Sequence, residues 1–277
     1  MPERTLYRWY NHPGQSLDRR NIYMGMYDQA REVARNAARL AGELCLAIRA
    51  EMLGHPDHME KAGHEPVTLA DYGAQAIILR HVAEHFPQDA SLAEERTAEF
   101  DVLTTELQRE RIIYHLSRVL NTSVSLDDIR RWLDHGRGSQ SERVWTIDPI
   151  DGTKGFLRGD QFAIAIALLV RGQPVVAALA CPLMAYNAGT GGTEGVIALA
   201  VRGEGATLEP LKGGAFRPLR VSPQTDIHQA RTVESVEGGH TDHTFSSQVL
   251  ALAGVGGRPL RIDSQAKYVA VADGRAE

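Results

Sequence analysis

Apolar residues recur at helical spacing from about Met24 to Met52: Ala30, Val33, Ala34, Ala37, Leu40, Ala41, Leu44 and Ile48. Positions three and four apart share one helix face, so this stretch predicts a long amphipathic helix whose role is packing. Gly54 to Glu65 breaks the pattern and predicts a solvated loop. Its His55, His58 and His64 lack the regular spacing and cysteine partners of a metal site. Pro66 to Phe86 predicts a second helix, with Thr68 as its cap and Ala70, Ala74, Ile77, Ile78 and Val82 as its apolar positions. Asp71 falls in its first turn, where the helix dipole favours a carboxylate. Ala90 to Glu95 predicts a short strand. Phe100 to Leu120 and Ser125 to His135 predict two helices, the second opened by Ser125 and Asp128 as a capping box. Gly136 to Glu142 predicts a polar loop.

The period then changes from helical to extended. Phe162 to Val170 is almost continuously apolar and rich in Ile and Val, and Gln173 to Cys181 follows it. A turn at Gly172–Gln173 would make these two buried antiparallel strands. Pro182 to Glu194 predicts a Gly/Thr-rich flexible loop. Val196 to Val201, Gly205 to Glu209 and Phe216 to Val221 predict further strands. Arg261 to Ala272 predicts a helix capped by Ser264, with Lys267 in its first turn. A lysine there opposes the helix dipole, so an anionic ligand explains it better than helix stability does.

Composition narrows the partners. The chain has 277 residues, 43% hydrophobic and 23% charged, as a soluble globular protein of one large or two small domains does. Its formal net charge of −5 argues against a nucleic-acid polymer as partner. Phosphate binding would have to be local, through metals and a few basic groups. The two cysteines, Cys45 and Cys181, sit in apolar runs and read as core residues, which predicts a reducing, cytoplasmic setting. No apolar run reaches the length of a membrane span. Residues 1–23 carry arginines together with Glu3 and Asp18 and lack an apolar core, so they predict an extension and not a signal peptide.

The candidate chemistry centres on Trp145 to Gly159, WTIDPIDGTKGFLRG. Asp148 and Asp151 are carboxylates expected on a turn, with the Ile150 carbonyl between them. Pro149 biases Asp148 away from helix, and Gly152 permits a tight turn and close approach of a ligand. Carboxylate and carbonyl oxygens suit a hard cation such as Mg²⁺. The Gly152 and Thr153 amides, at a helix start, suit a phosphate. The same residues would also serve as an ordinary Asx turn after a strand.

DPIDGTKGFLRG closely resembles the signature of the lithium-sensitive, Mg²⁺-dependent phosphatases of the inositol monophosphatase superfamily. Its extension through Gln161, Phe162 and Ala163 resembles the 3′(2′),5′-bisphosphate nucleotidase branch. Four further segments are similar to that branch: Lys61 with PVTLADY (66–72), the Ala93–Glu94–Glu95 segment, TVESVEGGHTDH (232–243) and RIDSQAKY (261–268). Ala93 stands where the family usually has glycine. The resemblance implies an α/β fold, the layered α/β/α/β/α sandwich. It implies Glu94, Asp148, Asp151 and the Ile150 carbonyl as ligands of two or three Mg²⁺ ions. It implies Asp71 and Thr153 as the groups that activate water. It implies Gly152, Thr153, His240, Ser264 and Lys267 as contacts to a small nucleotide substrate. The implied reaction removes the 3′-phosphate of adenosine 3′,5′-bisphosphate, with its sulfated analogue PAPS as a second substrate and lithium as inhibitor.

The same resemblance implies further strands and helices after Glu277, including a W-D-H-A-A-G motif whose aspartate binds metal and substrate. These 277 residues contain no such motif, and no residue here is assigned that role. The expectation is therefore an extension (1–23), a metal-binding α+β domain (24–200) and an incomplete C-terminal α/β domain (201–277). Its open strand edges would call for a covering partner or an oligomer. The alternatives are an inositol phosphate phosphatase and a relative that folds without turning substrate over.

Overall fold

The computed structural model describes residues 25–52, 58–61, 66–189, 192–236 and 243–277. The long apolar stripe forms helix α1 (Asp28–Met52), which starts after a turn at Gly25 with φ 82°. Two short strands, β1 (Met59–Glu60) and β2 (Pro66–Val67), pair antiparallel, so the segment expected as loop is in part a hairpin. His58 is exposed, and His55 and His64 lie outside the described residues. Helix α2 (Leu69–His85) and strand β3 (Ala90–Ala93) follow.

The helix expected over Phe100–Leu120 is two helices, α3 (Thr97–Leu103) and α4 (Glu106–Leu120). Two adjacent threonines divide them. The Thr104 hydroxyl donates to the Phe100 carbonyl at 2.6 Å, and Thr105 caps α4 reciprocally with Gln108. Helix α5 (Leu126–Leu133) has the expected Ser125–Asp128 capping box.

Strand β4 (Arg143–Asp151), helix α6 (Thr153–Arg158) and strands β5 (Ala163–Val170), β6 (Gln173–Cys181), β7 (Val196–Val201), β8 (Gly205–Pro210) and β9 (Arg217–Pro218) complete the main architecture. With β3 they form a seven-stranded sheet in the order β3-β4-β5-β6-β7-β8-β9. Only β3–β4 is parallel. The β5–β6 turn is Arg171–Gly172, one residue earlier than expected. These residues have φ 52° and 74°, and a two-residue hairpin loop needs both central residues left-handed. Strand β9 is shorter than the predicted Phe216–Val221 and ends at Pro218, which has no N–H for a ladder. The sheet runs past residue 200, because Ala200 pairs with Ala206 inside the β7–β8 hairpin.

Helices α1 and α2 pack on one another and on one face of this sheet. Small residues permit the close approach: Ala34, Ala38, Ala41, Ala70 and Ala74 are all fully buried. A Cβ on Gly73 would lie 2.5 Å from Leu44 Cδ2, so the helices meet at that glycine. Strand β10 (Val233–Glu234), helix α7 (His243–Leu252), strand β11 (Leu260–Arg261) and helix α8 (Ala266–Ala272) form the C-terminal part. β10 and β11 pair in parallel, and α8 contacts both β10 and β6, standing between the two sheets. The order helix, sheet, helix, sheet matches four successive layers of the expected α/β/α/β/α sandwich. Among the described residues no helix is long and apolar enough to cross a membrane, and both cysteines are buried and unpaired.

Leu44 is fully buried where α1 meets α2. Leu44→Ala is expected to lower stability by about 3 kcal/mol through lost burial and a cavity. Urea unfolding would show this as a lower midpoint at unchanged slope.

Candidate active site

Asp148 and Asp151 stand on the last residues of β4, not on a turn beyond it. Asp148 pairs with Ala165 and Asp151 with Ala163, so three steps on β4 face two on β5. That extra residue is a bulge. Without it, residues three apart would point to opposite faces of the sheet. With it, both carboxylates border one cavity. Gly152, with φ 89°, then turns the chain into α6. A Cβ there would come within 3.0 Å of Ser264 Cβ, so the turn and the C-terminal part are in close contact.

The cavity has a volume of about 500 Å³. Its lining includes Glu94, Asp148, Ile150, Asp151, Gly152, Thr153, Ser264 and Lys267, drawn from stretches far apart in the chain. Every predicted site residue except Asp71 and His240 is therefore at one place. Asp71 is 2% exposed and lies behind the wall, near enough to Glu94 for their charges to interact. His240 lies outside the described residues.

The helix-start role foreseen for Asp71 is visible. Its Oδ2 accepts from the Thr68 N–H and the Thr68 hydroxyl, each at 2.7 Å, which closes a capping box. Burial raises its pKa, the Thr68 bonds oppose that, and the charge of Glu94 adds to the rise. The Thr153 hydroxyl donates to the Ile150 carbonyl at 3.1 Å. That carbonyl has a second lone pair for a further partner. Asp151 Oδ2 accepts from the Gln265 N–H. Ser264 has φ 68° and its Oγ accepts from the Ala266 N–H at 3.2 Å, while Gln265 occupies the cap position expected for Ser264. Lys267 is in the first turn, as expected, and its Nζ donates to the Ile262 carbonyl at 3.4 Å.

Crowded carboxylates dominate the electrostatics. Burial, then the charges of Glu94 and Asp151, push the Asp148 carboxyl up to about 7, and Glu94 shares a hydrogen bond with it. Asp148 Oδ1 is buried without a hydrogen-bond partner. Glu95, which adjacent glutamates would place in solvent, is fully buried. Burial and the charge of Asp71 raise its pKa, while Lys61 opposes them. The Lys61 Nζ lies 2.6 Å from Glu95 Oε1 and 3.0 Å from Glu94 Oε1. Burial alone would lower the Lys61 pKa, but these two carboxylates hold it above the ordinary range.

Among the described residues, no three His, Cys, Asp or Glu side chains already stand in metal-binding geometry. Lys61 draws Glu94, and the Gln265 N–H draws Asp151. The donor chemistry nevertheless fits a hard cation. It consists of oxygen alone, Asp148 lies close to the carboxylates of Glu94 and Asp151, and one buried carboxylate oxygen has no partner. Lys61, Glu95, Gln265 and Asp263, the last of which lines the cavity and pairs with Arg158, were missed from the sequence. Lys61, Gln265 and Asp263 lie inside the motifs already singled out, whereas nothing local marks Glu95 as buried.

Fold and site together define a phosphatase-like α/β architecture with an acidic end to its sheet. The chain belongs to the inositol monophosphatase family, which it matches over residues 26–277. It is 35% identical to a probable 3′(2′),5′-bisphosphate nucleotidase 4 of Arabidopsis thaliana, covering 91% of this chain and 75% of that one. It is 32% identical to the 3′(2′),5′-bisphosphate nucleotidase of Schizosaccharomyces pombe, covering 90% and 75% respectively. Among solved structures it resembles the extragenic suppressor protein SuhB from Bartonella henselae. That match has TM-score 0.58 and 22% identity over 90% of this chain and 76% of that one. CysQ from Bacteroides thetaiotaomicron matches with TM-score 0.57 and 22% identity, over 91% and 80%. Both share the fold.

Lys61→Met is expected to destabilise the protein by about 3 kcal/mol, because it leaves the buried Glu95 carboxylate without its cation. In a Glu95→Gln background the same substitution should cost about 1 kcal/mol. A double-mutant cycle by urea unfolding measures the difference.

Proposed function

We propose that this chain is a Mg²⁺-dependent phosphatase that converts adenosine 3′,5′-bisphosphate and water to AMP and phosphate, with PAPS as a further substrate. One observation carries the reading: a single cavity gathers an oxygen-only acidic set, the Gly152–Thr153 turn, and Ser264 with Lys267. An acidic end suits metals, and a basic group beside it suits a substrate phosphate. The curated relatives' names supply the nucleotide.

Glu94, Asp148, Asp151 and the Ile150 carbonyl would hold Mg²⁺. The bound ions would supply Lewis-acid polarisation of the phosphoryl oxygens and a more acidic water. The chain's own groups do the remainder. Asp71 takes the proton of the attacking water, and burial makes its carboxylate a stronger base than it would be in solvent. The Thr153 hydroxyl gives its hydrogen to the Ile150 carbonyl, which leaves its oxygen free to accept from that water and orient it. The water oxygen bonds to phosphorus as the bond to the 3′-oxygen breaks, the 3′-oxygen takes a proton from solvent water to leave as the AMP hydroxyl, and Asp71 returns its proton to solvent. Gly152, Ser264 and Lys267 hold the nucleotide, and the family resemblance of the TVESVEGGHTDH segment assigns His240 to the same task.

Phosphate release from adenosine 3′,5′-bisphosphate by the purified chain should require Mg²⁺ and fall on addition of lithium. Asp151→Ala should reduce it by more than about 100-fold, since even outer partners of metal ligands cost 10–100-fold. Mg²⁺-dependent release that Asp151→Ala leaves intact would overturn the assignment. Inositol monophosphate as substrate tests the alternative specificity.

Thr153→Ala should lower kcat by about 100-fold with little change in KM, as loss of a water-orienting group does. Steady-state kinetics at saturating Mg²⁺ would measure both.

A further inference from the structure

The Glu94–Glu95 turn lies where the sheet stops supporting it. The β3–β4 ladder ends at Ala93 opposite Ile147, so residues 94 and 95 leave the sheet edge with no strand partner. Their backbone is held by two side chains instead. Gln75 is fully buried, and its amide faces the Glu95 backbone in both directions. Gln75 Nε2 donates to the Glu95 carbonyl at 2.8 Å, and the Glu95 N–H donates to Gln75 Oε1 at 2.8 Å. This reproduces the bond pair that a neighbouring strand would give. Arg137, from the loop after α5, adds Nη2 bonds to the Glu95 carbonyl and, at 3.2 Å, to the Ala93 carbonyl.

An amide in the core is costly unless its polar atoms are bonded. Those of Gln75 are spent on this turn, apart from a longer contact of 3.5 Å with the Leu133 carbonyl. Gln75 is also one helical turn beyond Asp71 on α2, and residues four apart share a helix face. One rigid helix thus sets both the proposed base and the turn that carries the proposed ligand Glu94.

We infer that Gln75, assisted by Arg137, is a positioning residue that fixes the Glu94 turn for metal binding. The inference rests on the metal-dependent reading of the site. Its effect should be on metal affinity, because outer partners that orient metal ligands change affinity by 10–100-fold when removed.

The test is Mn²⁺ binding to the purified chain, followed by electron paramagnetic resonance without substrate, beside the Mg²⁺ dependence of phosphate release. Gln75→Ala should weaken Mn²⁺ binding roughly tenfold and raise the Mg²⁺ needed for half-activity by a similar factor. Ile78→Ala, at a buried apolar position on the same helix, is the control for lost stability. It should lower Tm and leave Mn²⁺ binding unchanged. Should Gln75→Ala fail to fold, Arg137→Met carries the test, with weaker Mn²⁺ binding again expected. Mn²⁺ binding unchanged within twofold in the folded variant would overturn the positioning role alone. Equal weakening by Ile78→Ala would do the same. No Mn²⁺ binding by the unsubstituted chain would overturn the metal reading itself, and the positioning role with it.

Discussion

Repulsion among buried carboxylates is the constraint around which this structure is arranged. Asp71, Glu95 and Asp148 are held in or near the interior and each lies in the field of Glu94; Glu95 also feels Asp71, and Asp148 feels Asp151. A folded chain has no stability reason to collect like charges in low dielectric, where each is poorly solvated. The charges are moderated by Lys61, which pairs with both Glu94 and Glu95, and by backbone donors such as the Gln265 N–H. Such an arrangement makes sense when a cation is part of the finished site.

The scaffold tolerates this because its strength lies elsewhere. Alanine-lined helices α1 and α2 pack tightly on one face of the seven-stranded sheet, and the carboxylates occupy the end of that sheet. Each acidic group is delivered by an element anchored in this core. Asp71 comes from the capped start of α2, and Glu94 from the end of β3. Asp148 and Asp151 come from the bulged end of β4. The C-terminal part brings Ser264 and Lys267 to the same cavity, with Ser264 against Gly152.

Much of the site was legible because its residues sit in short segments whose chemistry is local. DPIDGT, PVTLAD and DSQAK each carry a turn, a cap or a helix start that dictates backbone shape, and each side chain follows from that shape. The capping role of Thr68 and the left-handed Gly152 were legible for this reason. What was misread depended on neighbours in space. Glu94 and Glu95 look alike in sequence, yet Glu95 is sealed inside by Gln75, Arg137 and Lys61. The Thr104–Thr105 break between α3 and α4 was a local signal that continuous helical periodicity concealed.

By itself, the sequence determined the long packing helices and the main strands from β5 to β8, their apolar faces, and the residue types able to hold a cation and a phosphate. Those follow from periodicity and from turn chemistry, which act over a few residues. Only the tertiary structure decided that the β4 bulge turns Asp148 and Asp151 to one cavity, that Glu95 is buried, and that a glutamine from α2 replaces a missing strand beside it. These are matters of register and burial between segments 12 or more residues apart, where packing selects the partner.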